Sequence, residues 1–291
     1  MMTVDQSDKQ TSMTATDGEP KSSKEQSHPK FTAILLAGKR SGNDPVASIF
    51  GLEYKALVPL VGRPMIAYAL DALRAAKSVG DIHIVFDGED ELFGSCGKLK
   101  KEMDAANVKV VATAKSICES IMKAMDETGR SYPYLVTTAD HALLLPEVVD
   151  YFCDKAAGLK GLGAGFVEEK YIKEMHPESK RTYLPFRDTN LSGANLFAFM
   201  APDSRKVLEF WKNVENERKR PWKLFKAFGF FNMVGLMLRQ LSVKGAFKRA
   251  SKVLDVETVA IRLPYAEAAI DVDSPRDYMQ VTKILEERDS A

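Results

Sequence analysis

Three carboxylates and three cations of the sequence are the residue types of a site for a metal ion and a phosphate chain. Asp140 follows an apolar segment, and Asp271 and Asp273 stand two residues apart near the end of the chain. Mg²⁺ takes one or two carboxylates together with substrate phosphates and water. Cations that could face such phosphates follow the first apolar segment: Lys39, Arg40 and Lys55. In phosphoryl chemistry of this kind, positioning and charge neutralisation replace a protein nucleophile.

The elements that position these residues are predicted from the hydrophobic pattern. Phe31 to Leu36 is a short apolar run that ends at Ala37-Gly38, and Tyr134 to Thr138 is another that ends just before Asp140. Strand and helix patterns alternate between them, which predicts an α/β fold with a mostly parallel sheet flanked by helices. Ligands of such sheets lie beyond the carboxyl ends of the strands. If extended, Asp271 and Asp273 point to one face, toward a shared cation.

Length and composition bound the class of protein. The chain has 291 residues, is 45% apolar, and carries 41 basic against 40 acidic side chains. This composition supports a sizeable core and shows no overall charge bias toward nucleic acid. Met1 to Lys30 is polar and is predicted to be a disordered tail ahead of a domain spanning 31–291. Three scattered cysteines and the lack of a signal peptide or membrane span predict a cytoplasmic protein.

The segment from Arg205 to Lys252 differs from the rest of the chain. It is rich in lysine, arginine and aromatic residues and holds few acids. Basic helices with an apolar face are typical of segments that lie on an anionic bilayer or line a groove for a lipidic substrate. The alternative is a helical insertion whose apolar face packs on the core while its cations are solvated. Nucleic acid binding is not predicted, because no recognition motif appears.

The opening stretch resembles the signature of nucleotidyltransferases related to molybdenum-cofactor guanylyltransferase, the MobA-like family. That signature runs Leu-Ala-Gly, a basic loop, a lysine and then Gly-x-Pro. Later matches are a serine-bearing helix, Thr-Thr-Ala-Asp and a closing Asp-x-Asp-Ser-Pro. The matching residues, from Phe31 to Glu287, are Leu36, Ala37, Gly38, Arg40, Lys55, Gly62, Pro64, Ser116, Ser120, Asp140, Asp271 and Asp273.

The resemblance implies a Rossmann-like domain of the GT-A type that moves a nucleoside monophosphate from an NTP to a phosphorylated acceptor, small or lipid-linked, and releases pyrophosphate. Asp140 and Asp273 would hold Mg²⁺, with Asp271 nearby. Arg40 and Lys55 would act catalytically on the triphosphate. The residues expected at the nucleotide and acceptor are Leu36, Ala37, Gly38, Lys39, Ser116 and Asn195.

The sequence also departs from the family pattern and leaves alternatives open. Lys39 stands where the family usually has a second glycine, and the loop to Lys55 is longer than usual. Asp271-Val272-Asp273 is also an Asp-x-Asp metal motif, so a glycosyltransferase of the same general fold is the rival enzyme. A nucleotide-binding scaffold recruited to membranes is the alternative without catalysis.

Overall fold

The fold is an eight-stranded mixed sheet with helices packed against it, seen in a computed structural model that describes residues 30–39, 42–94, 108–129, 131–215 and 240–290. The strands are β1 (Phe31–Leu36), β2 (Pro59–Leu60), β3 (Arg63–Pro64), β4 (Val79–Phe86), β5 (Val108–Ala112), β6 (Tyr134–Thr138), β7 (Leu162–Glu168), β8 (Leu184–Pro185), β9 (Asn190–Phe199) and β10 (Thr258–Leu263). Strands β2 and β3 form a separate two-stranded ribbon.

The helices follow the strands in the alternation that the sequence predicts. They are α1 (Pro45–Ile49), α2 (Met65–Ala75), α3 (Glu89–Gly94), α4 (Ile117–Glu127), α5 (Pro146–Ala156), α6 (Glu169–Met175), α7 (Arg205–Glu215), α8 (Val243–Leu254) and α9 (Pro275–Asp289). Short 3₁₀ turns lie at Lys55–Leu57, Pro202–Ser204 and Ala266–Ala269. None of the described helices is both long and apolar enough to span a bilayer.

The main sheet has the strand order β10-β7-β9-β6-β1-β4-β5, and β8 pairs with β9. Strands β6, β1, β4 and β5 are parallel to one another, as are β7 and β10. Strand β9 runs antiparallel to β6, β7 and β8. The prediction of a mostly parallel sheet is therefore confirmed, with β9 as the antiparallel exception.

Strand β1 lies in the middle of the core because both of its faces are covered. Ala33, Ile34 and Leu35 are fully buried, although successive side chains of a strand point to opposite faces. A continuous apolar run is what a parallel strand covered by helices on both sides requires. This burial fixes the position of the loop that leaves β1 at Ala37.

Most predicted elements are present, and several begin or end elsewhere than predicted. The apolar runs that begin at Phe31 and Tyr134 form strands with the predicted bounds. Strand β9 begins at Asn190, so the Ser192 to Asn195 stretch, where Gly193 interrupts the apolar pattern, lies inside a strand and not in a loop. The antiparallel ladder with β7 includes this stretch and explains the difference.

Two sequence predictions fall on residues outside the described part of the chain. The predicted tail, Met1 to Lys30, lies outside the described residues except for Lys30. The predicted catalytic residue Arg40 also lies outside them. The predicted helical insertion at 205–252 is described only in its outer parts, as α7 and α8.

Candidate active site

The side chain of Lys55 joins two of the three predicted metal-binding carboxylates. Its Nζ donates hydrogen bonds to Asp140 Oδ2 at 2.5 Å, to Asp273 Oδ1 at 2.9 Å and to the Val272 carbonyl at 2.9 Å. Asp140 is 5% exposed and Lys55 is 13% exposed. Burial alone would lower the pKa of Lys55, but the two carboxylates outweigh it and raise the pKa above its ordinary value. Lys55 is therefore charged at neutral pH.

The third carboxylate, Asp271, is paired with a different cation. Arg181 Nη1 donates to Asp271 Oδ1 at 2.6 Å, and Nη2 of the same guanidinium contacts Asp277. The Asn195 amide donates to Asp271 Oδ2 at 2.9 Å. The structure pairs Asp271 with Arg181 and Asp273 with Lys55. That Asp271 and Asp273 face one shared metal ion stays a prediction. We call Asp140, Asp271, Asp273 and Asp277 the carboxylate cluster.

Two cations of the described residues contact the four acids of the carboxylate cluster: Lys55 faces Asp140 and Asp273, and Arg181 faces Asp271 and Asp277. Burial raises the pKa of Asp271, and the charges of Asp273 and Asp140 raise it further, while Arg181 and Asn195 oppose the shift without cancelling it. Among the described residues, no group of three or more His, Cys, Asp or Glu side chains is arranged to hold a metal ion alone. Mg²⁺ needs only one or two carboxylates when phosphates supply other ligands, so the donor set fits Mg²⁺ carried by a nucleotide.

The loop after β1 passes so close to the end of β5 that it requires glycine. A Cβ added at Gly38 would lie 2.4 Å from Thr113 Cγ2. Thr113 is held there because its hydroxyl binds Asp87, and Asp87 Oδ2 also accepts a hydrogen bond from the Lys39 amide at 2.9 Å. The Lys39 side chain contacts Glu53. The ends of β1, β4 and β5 are therefore tied together at Asp87.

Backbone hydrogen bonds bring this loop and the carboxylate cluster to the same edge of the sheet. The Ala139 amide donates to Leu36 O at 2.9 Å, at the ends of neighbouring strands β6 and β1. The Val272 amide donates to Asp140 O at 3.0 Å. The structure thus brings Leu36, Ala37 and Gly38 next to the segment that carries Asp140, as the sequence predicted.

Ser116 has a structural role in the described residues. Its hydroxyl accepts a hydrogen bond from the Glu119 amide at 3.2 Å and caps the N-terminus of α4. Ser120 is tied to the same turn, because its hydroxyl accepts from the Ala114 amide at 2.9 Å and donates to Ser116 O at 2.8 Å. Ser116 is thus a helix cap, and nucleotide binding by Ser116 stays a prediction.

Asn195 adopts a left-handed backbone conformation inside strand β9. Its φ is +49°, at the point where the β7–β9 register shifts between Ala164 and Phe166. Asparagine adopts this conformation at lower cost than most residues, and such local strain is frequent at functional sites. The bulge turns the Asn195 amide toward Asp271.

Residues that the sequence analysis did not select complete the site. Arg181 lies in a polar stretch between α6 and β8 and is 6% exposed. Asp277 accepts from the Ser274 hydroxyl at 2.6 Å in the first turn of α9, a spacing that the capping-box pattern could have indicated. Asp87 directly follows β4, and this position at the end of a strand could have indicated that it belongs to the site. Nothing in the local sequence separates Arg181 from the neighbouring surface cations.

Comparison with known proteins identifies the chain as a nucleotidyltransferase. The family model of the MobA-like NTP transferase domain matches residues 33–176. A solved structure titled as a hypothetical transferase from Thermus thermophilus is 31% identical in sequence, with a TM-score of 0.71. The match covers 86% of this chain and 99% of that one. The chain belongs to the MobA-like NTP transferase family.

Two more distant structures share the fold. CMP:2-keto-3-deoxy-manno-octonic acid synthetase complexed with CTP is 14% identical, with a TM-score of 0.55 over 89% of this chain and 99% of that one. 4-Diphosphocytidyl-2C-methyl-D-erythritol synthase from Anaerococcus prevotii is 11% identical, with a TM-score of 0.54 over 88% and 96%. No curated protein matches the chain. Family membership supports the nucleotidyltransferase interpretation over the glycosyltransferase and scaffold alternatives.

Proposed function

We propose that this enzyme transfers a nucleoside monophosphate from an NTP to a phosphorylated acceptor, small or lipid-linked, with release of pyrophosphate. The observation that carries the proposal is the placement of Lys55 between Asp140 and Asp273, beside the glycine loop after β1. A lysine, two carboxylates and a close backbone loop supply a cation, metal ligands and N–H donors for a triphosphate. Family membership supports the reaction class.

In the proposed reaction a phosphate oxygen of the acceptor attacks the α-phosphorus of the NTP. The bond between that phosphorus and the oxygen bridging to the β-phosphate breaks, and pyrophosphate leaves with the electron pair. Lys55 stabilises negative charge that grows on the phosphates, and Arg40 is proposed to act beside it. The backbone at Ala37 and Gly38 would lie against the nucleotide, because the close packing of Gly38 against Thr113 fixes this loop at the edge of the sheet.

Asp140 and Asp273 are the residues that would hold Mg²⁺, which would neutralise phosphate charge and orient the triphosphate when bound. Asp271 stands in contact with Arg181 and Asn195, and we assign it to holding the segment before Asp273 in place. The roles of Lys39, Ser116 and Asn195 at the nucleotide and acceptor remain part of the proposal.

We also propose that the enzyme acts in the cytoplasm and makes peripheral contact with an anionic membrane through 205–252. The basic and aromatic composition of that segment supports the contact, together with the exposed Trp211 of α7 and Val253 of α8. A lipid-linked acceptor phosphate would be reached at such a surface.

Pyrophosphate release tests the proposed reaction. Each of the four NTPs is incubated with Mg²⁺ and a pool of phosphorylated metabolites and lipid phosphates, and pyrophosphate and the nucleotidylated product are measured together. We expect release with one NTP that depends on an acceptor and is lost in Asp140→Asn. Sugar transfer from a nucleotide sugar without pyrophosphate would overturn the proposal, as would acceptor-dependent release that Asp140→Asn leaves unchanged.

A further inference from the structure

Helices α7 and α8 have similar basic composition, but their cations have different surroundings. On α7 the cations are paired: Arg205 binds Asp126 at 2.8 and 2.9 Å, Lys206 binds Asp255 at 3.3 Å, and Lys212 binds Glu119 at 2.7 Å. The contacts of Arg205 and Lys212 hold α7 against α4, and the contact of Lys206 ties α7 to the residue that follows α8. The basic face of α7 is therefore accounted for by internal ion pairs.

The lysines of α8 lack such partners among the residues that the structure describes. Lys244, Lys248 and Lys252 are exposed and follow one another at intervals of four residues. Within the part of the chain that the structure describes, none of the three forms an ion pair or a side-chain hydrogen bond. At 100° and 1.5 Å per residue they fall within an arc of about 80° along about 12 Å of helix. We call this row the α8 lysine row.

Acidic side chains lie near α8 but are bound to other groups. Asp188 accepts from the Val243 amide at 2.9 Å and from Arg262 at 3.1 Å. Asp255 is paired with Lys206, and Glu257 accepts from the Lys160 amide at 2.7 Å. The acids of the elements packed against α8 therefore do not neutralise the α8 lysine row.

The opposite face of α8 packs against the protein, so the α8 lysine row faces solvent. Val243 and Leu254 are buried, and Phe247 packs edge-on against Phe166 with ring centroids 5.7 Å apart. Residues 216–239, which precede the helix, contain a single acid, Glu217, so their sequence supplies little countercharge. This face would attract a binding partner that carries negative charge over an extended surface.

We infer that the α8 lysine row is the surface by which the protein docks on an anionic lipid bilayer, an inference that rests on the proposed membrane contact. A straight row of lysines on one side of a helix matches a flat charged surface. Val253 of α8 is 38% exposed, and Trp211 of the neighbouring helix α7 is 42% exposed. Apolar side chains near cations are stabilised when they enter a lipid interface. A nucleic acid backbone binds through its phosphate charges and offers no apolar environment for such side chains.

Vesicle sedimentation with matched variants tests the inference. The full chain, the variant Lys244→Gln/Lys248→Gln and the control Lys206→Gln/Lys212→Gln are mixed with phosphatidylcholine vesicles, with or without phosphatidylserine, at low and high salt. Both variants lose two charges from the same basic segment, but only the control lysines are internally paired. Each basic residue near an anionic surface contributes roughly 1 kcal/mol, so we expect the α8 variant to bind about 30-fold more weakly.

We expect the control variant to bind within about threefold of the natural chain, because its lysines already share their charge with acids. Equal loss in both variants would overturn the assignment to α8 while leaving a membrane contact in place. No binding of the natural chain to anionic vesicles at low salt would overturn the membrane contact itself, as would binding to a DNA duplex but not to vesicles. Nucleotidyl transfer to a soluble acceptor is measured alongside and is expected to be equal in all three proteins.

Discussion

The ammonium group of Lys55 lies 2.5 Å from Asp140 Oδ2 and 2.9 Å from Asp273 Oδ1, between the two carboxylates assigned to Mg²⁺. In this arrangement the lysine is a counter-ion shared by two acids, one of them buried. A divalent cation binding the same oxygens must share or displace it. We therefore expect lysine and metal to compete for the carboxylates, and we expect the phosphates of an incoming nucleotide to offer the displaced ammonium a new partner.

Lys55→Met is expected to separate metal binding from catalysis. Without the competing ammonium, Mg²⁺ or Mn²⁺ should bind the nucleotide-free protein more tightly, whereas nucleotidyl transfer should fall at least about 100-fold through loss of a transition-state contact. Removing one partner of a buried pair should destabilise the metal-free protein by about 3 kcal/mol. Calorimetric metal titration and denaturant unfolding measure these effects.

Lys39→Met is the matched control for this variant, because Lys39 contacts Glu53 and not the carboxylate cluster. Its metal affinity in the absence of nucleotide should equal that of the natural chain. Unchanged or weaker metal binding in Lys55→Met would contradict competition between the lysine and the metal.

Gly38→Ala is expected to disturb the nucleotide loop, and a second substitution should repair it. The new methyl group would lie 2.4 Å from Thr113 Cγ2, while the Thr113 hydroxyl is held by Asp87. Such overpacking costs about 1 to 3 kcal/mol. We expect a raised KM for the NTP in Gly38→Ala and recovery in Gly38→Ala/Thr113→Ser, which removes the methyl group and keeps the hydroxyl.

Steady-state kinetics of the two single variants and the double variant measure this coupling. Thr113→Ser alone should behave like the natural chain. If the double variant is no better than Gly38→Ala, the collision with Thr113 is not what makes glycine necessary at this position.

The sequence predicted the parts of the site that depend on short-range pattern. Buried apolar runs located β1 and β6, and parallel strands place their carboxyl ends together, so Gly38 and Asp140 could be assigned to one edge. The partner of each acid could not be predicted, because Arg181 reaches Asp271 from 90 residues away. Such long-range pairing depends on how separate elements pack, and no local spacing encodes it.

Strand β9 is a second feature that the local sequence could not predict in full. Gly193 interrupts the apolar pattern, so the stretch from Ser192 to Asn195 resembles a loop, yet pairing with β7 makes it part of a strand. The bulge that turns Asn195 toward Asp271 arises from this pairing. Tertiary contacts of this kind override local propensity in strands.

Asn195 is expected to stabilise the fold through both its backbone conformation and its amide. Asn195→Ala loses the hydrogen bond to Asp271 and places a less suitable residue at φ +49°, so we expect a loss of about 2 kcal/mol in the free energy of unfolding. Asn195→Gly tolerates the backbone conformation and should lose about 1 kcal/mol, the hydrogen bond alone. Urea denaturation of both variants measures the difference, and equal losses would show that the left-handed backbone carries no cost.

His141 gives the protein a predictable sensitivity to acid. Burial lowers the pKa of His141 from 6.5 to about 4, and the neighbouring Asp140 carboxylate opposes this shift without reversing it. Between pH 4 and 6.5 the unfolded chain binds a proton that the folded protein excludes. Stability therefore rises with pH across this window and is lost as the pH falls from 6.5 toward 4, by about 3 kcal/mol for this group.

His141→Leu is expected to remove this contribution, because a leucine of similar volume cannot take up a proton. The free energy of unfolding, measured by urea denaturation at several pH values between 4 and 7, should fall less steeply on acidification in the variant than in the natural chain. Carboxylates that titrate below this window contribute equally to both proteins, so the difference between the two curves isolates the histidine. Parallel curves would show that His141 is not held neutral by burial, and that acid sensitivity in this range comes from other groups.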